Sequence, residues 1–219
     1  MTAILNPPTT SDAERITLTK ISWETYESLL TDLADQSVPR LTYDGGTLEI
    51  MSPNNKHEEC NRAIARLVEV LAEEMGVEVR DLGSTTFRRN DIKRGFEPDT
   101  CFYVQNEAII RGKKNLDPNI DPPPDLVIEV DITSPSLERF PIFAAFGVPE
   151  VWRFDGERLE IFLLSEGTYA KSEKSKALPF VVPEALVGFV AESVSLGRLE
   201  WLRKVREWAR SQKEGKRAE

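Results

Sequence analysis

A chain of 219 residues, 40% hydrophobic and 30% charged, is long enough to bury a core of its own, and its apolar runs are too short to cross a bilayer as helices. The formal net charge of −9 argues against a protein that coats nucleic acid nonspecifically, because phosphate neutralisation by Lys and Arg supplies most of such binding. Two cysteines without ligand spacing, Cys60 and Cys101, read as reduced packing residues, and a start lacking the basic and apolar regions of an export signal predicts a cytoplasmic protein.

Residues 1–14, with Pro7 and Pro8, read as a flexible arm. A β-like stretch at 15–18 precedes Ser22, a predicted N-cap for a helix carrying Trp23, Tyr26, Leu29, Leu30 and Leu33 at helical spacing. Segments 40–43 and 47–51 flank Asp44-Gly45-Gly46 and predict a hairpin. Ser52-Pro53-Asn54-Asn55 opens the longest helix, along which Ala63, Ile64, Leu67, Val70, Leu71 and Met75 recur every three or four residues until Gly76. His57 and Glu58 lie in its first turns; a lone histidine near a helix start is more often a surface group.

Three strand-like runs follow, at 77–81, 98–104 and 126–131, with 85–89 a further short strand. Residues 105–124 end in Asp121-Pro122-Pro123-Pro124 and predict mostly loop. After a turn at Ser134-Pro135-Ser136, Pro141 fits only the first turn of a helix, which therefore starts near Arg139 and ends at Gly147. Strands at 151–154 and 159–164, a polar loop at 171–176, an apolar segment at 180–190 and a basic helix bearing Leu199, Leu202, Val205 and Trp208 complete one α/β domain, residues 15–210, before a charged tail at 211–219.

The chemistry gathers in two phrases, Gly95-Phe96-Glu97-Pro98-Asp99 and Asp125-Leu126-Val127-Ile128-Glu129-Val130-Asp131. Strand alternation sends Val127, Glu129 and Asp131 to one face, and Asp99 opens the neighbouring strand on the side of Cys101 and Tyr103. Three carboxylates then converge, and like charges that close repel by roughly 4 kcal/mol near a protein surface, so the cluster asks for a cation or a shared proton. The plainer alternative pairs Glu129 with Arg139 and makes Asp131 a cap for the following turn. Basic groups available to nucleic acid are Arg88, Arg89, Lys93 and Arg94, then Arg111, Lys113 and Lys114, then the C-terminal helix, although such runs are commonly solvated faces.

Met51-Ser52-Pro53 before the long helix, Gly95 to Asp99, Asp125 to Val130, and Gly147-Val148-Pro149-Glu150-Val151-Trp152, in this order, resemble the PD-(D/E)XK nuclease superfamily. More narrowly, they resemble the Uma-type restriction-endonuclease-like family common in cyanobacteria. The resemblance implies a restriction-endonuclease-like core, α-β-β-β-α-β, with an N-terminal helix and hairpin and a C-terminal helical extension. It implies an endonuclease using Mg²⁺, or Mn²⁺, on DNA. Asp99, Glu129 and the Val130 carbonyl would be metal ligands, with Glu58 acting through water and Asp131 as an accessory acid. Where the superfamily has lysine two residues after Glu129 this chain has Asp131, and where the Uma-type pattern has a helix lysine it has Arg139. Two strands to cut imply a homodimer. A catalytically silent nuclease-fold binding module is the rival reading, and a hydrolase of another phosphate ester the third.

Overall fold

The computed structural model describes residues 14–34, 36, 38–132 and 138–215, without the side chain of Glu214. The expected arm before Glu14, the turn at Ser134-Pro135-Ser136 and residues 216–219 lie outside the described residues.

Strand β1 (Glu14–Thr19) leads to α1 (Trp23–Asp32), which starts where the Ser22 hydroxyl accepts from the Thr25 amide at 3.1 Å. Strands β2 (Arg40–Asp44) and β3 (Thr47–Ser52) form the expected hairpin, with Gly45 and Gly46 at φ 50° and 106°. Asn54 caps α2 (Asn55–Met75), its side chain accepting from the His57 amide at 2.8 Å, and Gly76 ends it in the left-handed region. Next come β4 (Arg80–Asp81), β5 (Phe87–Arg89), β6 (Arg94–Phe96), β7 (Thr100–Tyr103), α3 (Glu107–Ile110) and β8 (Leu126–Val130). The chain finishes with α4 (Phe140–Phe146), β9 (Glu150–Phe154), β10 (Leu159–Ser165), β11 (Thr168–Ser172), α5 (Pro183–Ser193) and α6 (Arg198–Gly215).

Two sheets result, one ordered β1-β3-β2-β6-β5 and the other β11-β10-β9-β8-β7-β4. Among the described residues only β8 and β9 pair in parallel, and α4 supplies the crossover that such a pair needs. The order α2, β4, β7, β8, α4, β9 is the α-β-β-β-α-β core expected of a restriction-endonuclease-like α/β fold.

Strand β8 is buried along its length, and its two faces meet different partners. Leu126, Ile128 and Val130 join Leu67 and Leu71 of α2, Leu186 of α5 and Val205 of α6, whereas Val127 joins Cys101, Ile142 and Phe143 on the α4 side. The alternation therefore separates a helix-covered apolar face from the face that carries Glu129.

The structure departs from the sequence expectations where periodicity is weak. Val77 and Val79 pack beside the α2 core rather than extending β4. The hairpin of β5 and β6 joins the first sheet, although three-residue strands leave almost no alternation to read. Gly95 sits in β6 because a Cβ there would lie 2.3 Å from the Tyr26 hydroxyl. Strand β11 occupies part of the polar stretch expected as loop, and α6 continues five residues into the expected tail.

Glu150 shows how a motif residue serves the fold. Buried to 1% exposure, it accepts from Trp152 Nε1 at 2.5 Å and from the Lys176 and Ala177 amides at 2.7 and 2.8 Å, tying the segment before α5 to β9. A buried donor left unpaired costs about 1–3 kcal/mol, so Glu150→Ala is expected to lower unfolding free energy by about 3 kcal/mol or more. Urea denaturation checks this, and a loss under about 1 kcal/mol would remove the anchoring role.

Candidate functional site

Thr100, Cys101 and Phe102 of β7 stand opposite Ile128, Val127 and Leu126 of β8, and one more step of that register sets Asp99 against Glu129. Directly opposed residues share a face, so both carboxylates rise on the α4 side, as the alternation predicts. The backbone confirms the approach: the Val130 amide donates to Asp99 Oδ2 at 2.7 Å.

The expected convergence of bare carboxylates is replaced by an alternation of acids and guanidiniums. Arg40 of β2 donates to Asp99 Oδ1 through Nη1 and to Glu58 Oε1 through Nη2. Arg139, at the N-terminus of α4, donates to Glu129 Oε2 at 2.5 Å and to Glu49 Oε1 of β3 at 2.8 Å. Arg15 of β1 then bridges Glu49 and Asp131, each at 3.3 Å. Five carboxylates face these three guanidiniums, with Arg62 a further 3.6 Å neighbour of Glu58, in a place where Asp99, Glu129, Glu49, Arg40 and Arg139 are all buried. Among the described residues no group of three acidic, histidine or cysteine side chains is gathered closely enough to hold a metal ion together.

Each predicted residue has a definite place. Asp99, Glu129 and Arg139 come together, and the sequence alternative of a Glu129–Arg139 ion pair is realised within the same site. Asp131 is held at its margin by Arg15, and Glu58 is held by Arg40 while partly exposed. Val130 contributes its amide to Asp99. His57 is buried, which overturns its reading as a surface group: Nε2 lies 3.1 Å from Asp99 Oδ2 without hydrogen-bonding alignment, and Nδ1 has no partner among the described residues. Asn61, one turn on, donates to the Asp99 carbonyl at 2.9 Å. Asp125, by contrast, is structural, accepting from the amides of Val104 and Asn106.

Arg40, Glu49 and Arg15 were not found from the sequence. The one signal left by Arg40 and Glu49 is a charged residue next to large apolar ones on the hairpin, Arg40 beside Leu41 and Glu49 between Leu48 and Ile50.

Burial dominates the titration of the site. It pushes the Glu129 carboxyl up to about 8, with Arg139 pulling it down and Asp99 and Asp131 adding to the rise. Asp99 feels the same burial, but His57, Arg40 and Arg139 together hold it below its ordinary value. Arg139 is held well above its own, burial notwithstanding, by Glu129, Glu49 and Asp99.

A cavity of about 360 Å³ opens on Asp99, Arg40 and Glu58, while Glu129 is not part of its wall. Of the basic stretches picked out from sequence, only the start of the C-terminal helix, at Arg198, reaches this cavity; the others lie elsewhere and are mostly neutralised. Arg88 pairs with Glu27, Arg89 with Asp91, Arg94 with Asp44, Arg111 with Glu107 and Lys113 with Asp121. Arg206 and Arg210 of α6 pair with Glu73 and Glu74 of α2.

Residues 23–195 match the family described as "Uma2: Putative restriction endonuclease", well over half of the chain. The chain belongs to the Uma2 family. A solved structure with the same fold is that of a protein from Anabaena variabilis described as a putative nuclease belonging to DUF820. It is similar with a TM-score of 0.50 and 15% identity over 83% of this chain and 99% of that one. No curated protein matches the chain. Uma2 membership and the shared fold agree with the resemblance read from the motifs around Asp99, Glu129 and Trp152. No helix among the described residues is long and apolar enough to cross a membrane.

The raised Glu129 pKa has a defined consequence for stability. An acid with an ordinary value near 4.5 when unfolded and about 8 when folded contributes fully below pH 4.5 and loses that contribution as pH rises through 8. In chelating buffer the stability of Glu129→Gln relative to the native chain is therefore expected to increase from pH 5 to pH 9. Denaturant unfolding across that range tests the sign, and a flat difference would show that Glu129 is ionised throughout.

Proposed function

We propose that this chain is a divalent-metal-dependent endonuclease that hydrolyses DNA phosphodiester bonds, with Asp99 and Glu129 as its paired metal ligands. The observation that carries the reading is Glu129 Oε1, a buried acceptor without a hydrogen-bond partner, on the residue that the strand register sets against Asp99. Mg²⁺ takes one or two protein carboxylates and keeps several waters, so a two-acid donor set fits it, or Mn²⁺, without a third acid. The Val130 carbonyl would complete the protein ligands, with Glu58 acting through water. When bound, such an ion lowers the pKa of a coordinated water and polarises the scissile phosphate.

The chain's own residues set the stage for that chemistry. Arg139 grips Glu129 by Oε2 and leaves Oε1 available; permanently protonated and enclosed by Glu129 and Glu49, it orients a carboxylate and cannot serve as a base. Arg40 and the Val130 amide fix the two oxygens of Asp99 at the cavity wall. Asp131, paired with Arg15, keeps that arginine beside Glu49 and so supports Arg139 indirectly. The positive charge that the superfamily places two residues after Glu129 is supplied here from the α4 end. A two-fold dimer would present two such sites to the two strands of a duplex.

A silent nuclease-fold binding module is the second reading, favoured by the arginine partner on every acid of the site. Manganese titration by calorimetry separates the two: heat that disappears in Asp99→Ala supports the enzyme. On supercoiled plasmid with Mg²⁺, Asp99→Ala and Glu129→Ala are each expected to cut at least ~100-fold more slowly, about 2.7 kcal/mol of transition-state stabilisation. Cutting that persists in chelator, or is undiminished in both variants, would remove the proposal.

A further inference from the structure

The cavity on Asp99 has a second wall that the catalytic reading does not use. Arg62 and Arg66 lie one turn apart on α2, and Arg198, the first residue of α6, lines the same space. The placement follows from helix packing. The pairs of Arg206 and Arg210 with Glu73 and Glu74 lay α6 parallel to α2, and about three turns back along α6 bring Arg198 level with Arg62 and Arg66.

The charges around this wall are committed to different degrees. Asp99 and Glu58 are engaged by Arg40, and Asp81 accepts from the Gly83 amide and the Thr100 hydroxyl. Arg62 is 81% exposed and only 3.6 Å from Glu58, Arg66 pairs with the half-exposed Glu69, and Arg198 has no ion pair among the described residues. No aromatic side chain lines the cavity, so it offers nothing on which a base would stack.

We propose that Arg62, Arg66 and Arg198 form a track for the DNA backbone, holding phosphates that flank the one presented at Asp99. The inference rests on the nuclease reading for the position of the cut, while its own content is the phosphate contacts. Guanidinium forks match phosphate oxygens bidentately, and contacts of this kind set register without reading sequence. Glu69 competes with the backbone for Arg66.

The test is fluorescence anisotropy of a labelled mixed-sequence DNA duplex in chelator, where binding is read without cleavage. The variant Arg62→Ala/Arg66→Ala/Arg198→Ala is expected to weaken binding at least tenfold at low salt and to flatten the slope of log affinity against log salt by roughly three, about one per phosphate contact. Glu69→Gln, which removes the competing charge, is expected to bind a fewfold more tightly, and Arg111→Ala/Lys113→Ala within twofold of the native chain. The track is overturned if the triple variant matches the native affinity and slope, if the Arg111/Lys113 variant loses as much, if Glu69→Gln binds more weakly, or if the native chain does not bind the duplex. Plasmid cutting by the native chain alongside unchanged binding by the triple variant removes the track and leaves the nuclease; binding lost in the triple variant with no cutting does the reverse.

Discussion

Burying charge is costly, and the centre of this molecule is organised by how that cost is met. Acids and guanidiniums alternate from Glu58 through Arg40 to Asp99, and from Glu129 through Arg139, Glu49 and Arg15 to Asp131. A lone buried ion is penalised by several kcal/mol, and hydrogen-bonded opposite charges recover much of it. Each arginine ties separate parts of the chain: Arg40 joins β2 to the residue before β7 and to α2, Arg139 joins the start of α4 to β8 and β3, and Arg15 joins β1, already paired with β3, to the residue after β8. The two sheets are thus held in register by the same side chains that shape the site.

That arrangement also explains why the offset is incomplete. Arg139 reaches only one oxygen of Glu129; the other has no donor, and burial raises the carboxyl's pKa. A site that leaves Glu129 Oε1, His57 Nδ1 and the Nε atoms of Arg15, Arg40 and Arg139 without partners among the described residues differs from a structural ion-pair network, which satisfies every member. Perturbed carboxyls in such settings are more often functional than structural.

Much of this was legible in the sequence, and the division has a physical basis. Strand parity places Asp99 and Glu129 on one face because the pleat repeats every two residues, and α2 is readable because twenty-one residues carry a repeated apolar stripe. Pro141 locates the start of α4, and with it Arg139, because a proline is admitted only at a helix's first turn. Arg40 and Glu49 were missed because periodicity says which face a residue takes, not which distant element that face meets. Their partners are 59 and 90 positions away. The basic stretches around Arg88 to Arg94 and Arg111 to Lys114 misled for the related reason that a sequence shows charges without their counterions. Glu150, a motif residue, turned out to hold three donors of the fold rather than to face the site.

One helix serves both proposed roles on separate stripes. Ala63, Ile64, Leu67, Val70 and Leu71 of α2 are locked into the core, His57 and Asn61 lean on the Asp99 segment, and Arg62 and Arg66 look outward. The outward positions are free to change without disturbing packing, so the grip on a ligand is separable from the chemistry in mutational terms. A rigid rod shared by both nevertheless fixes their spacing, and any kink in it would shift the two together.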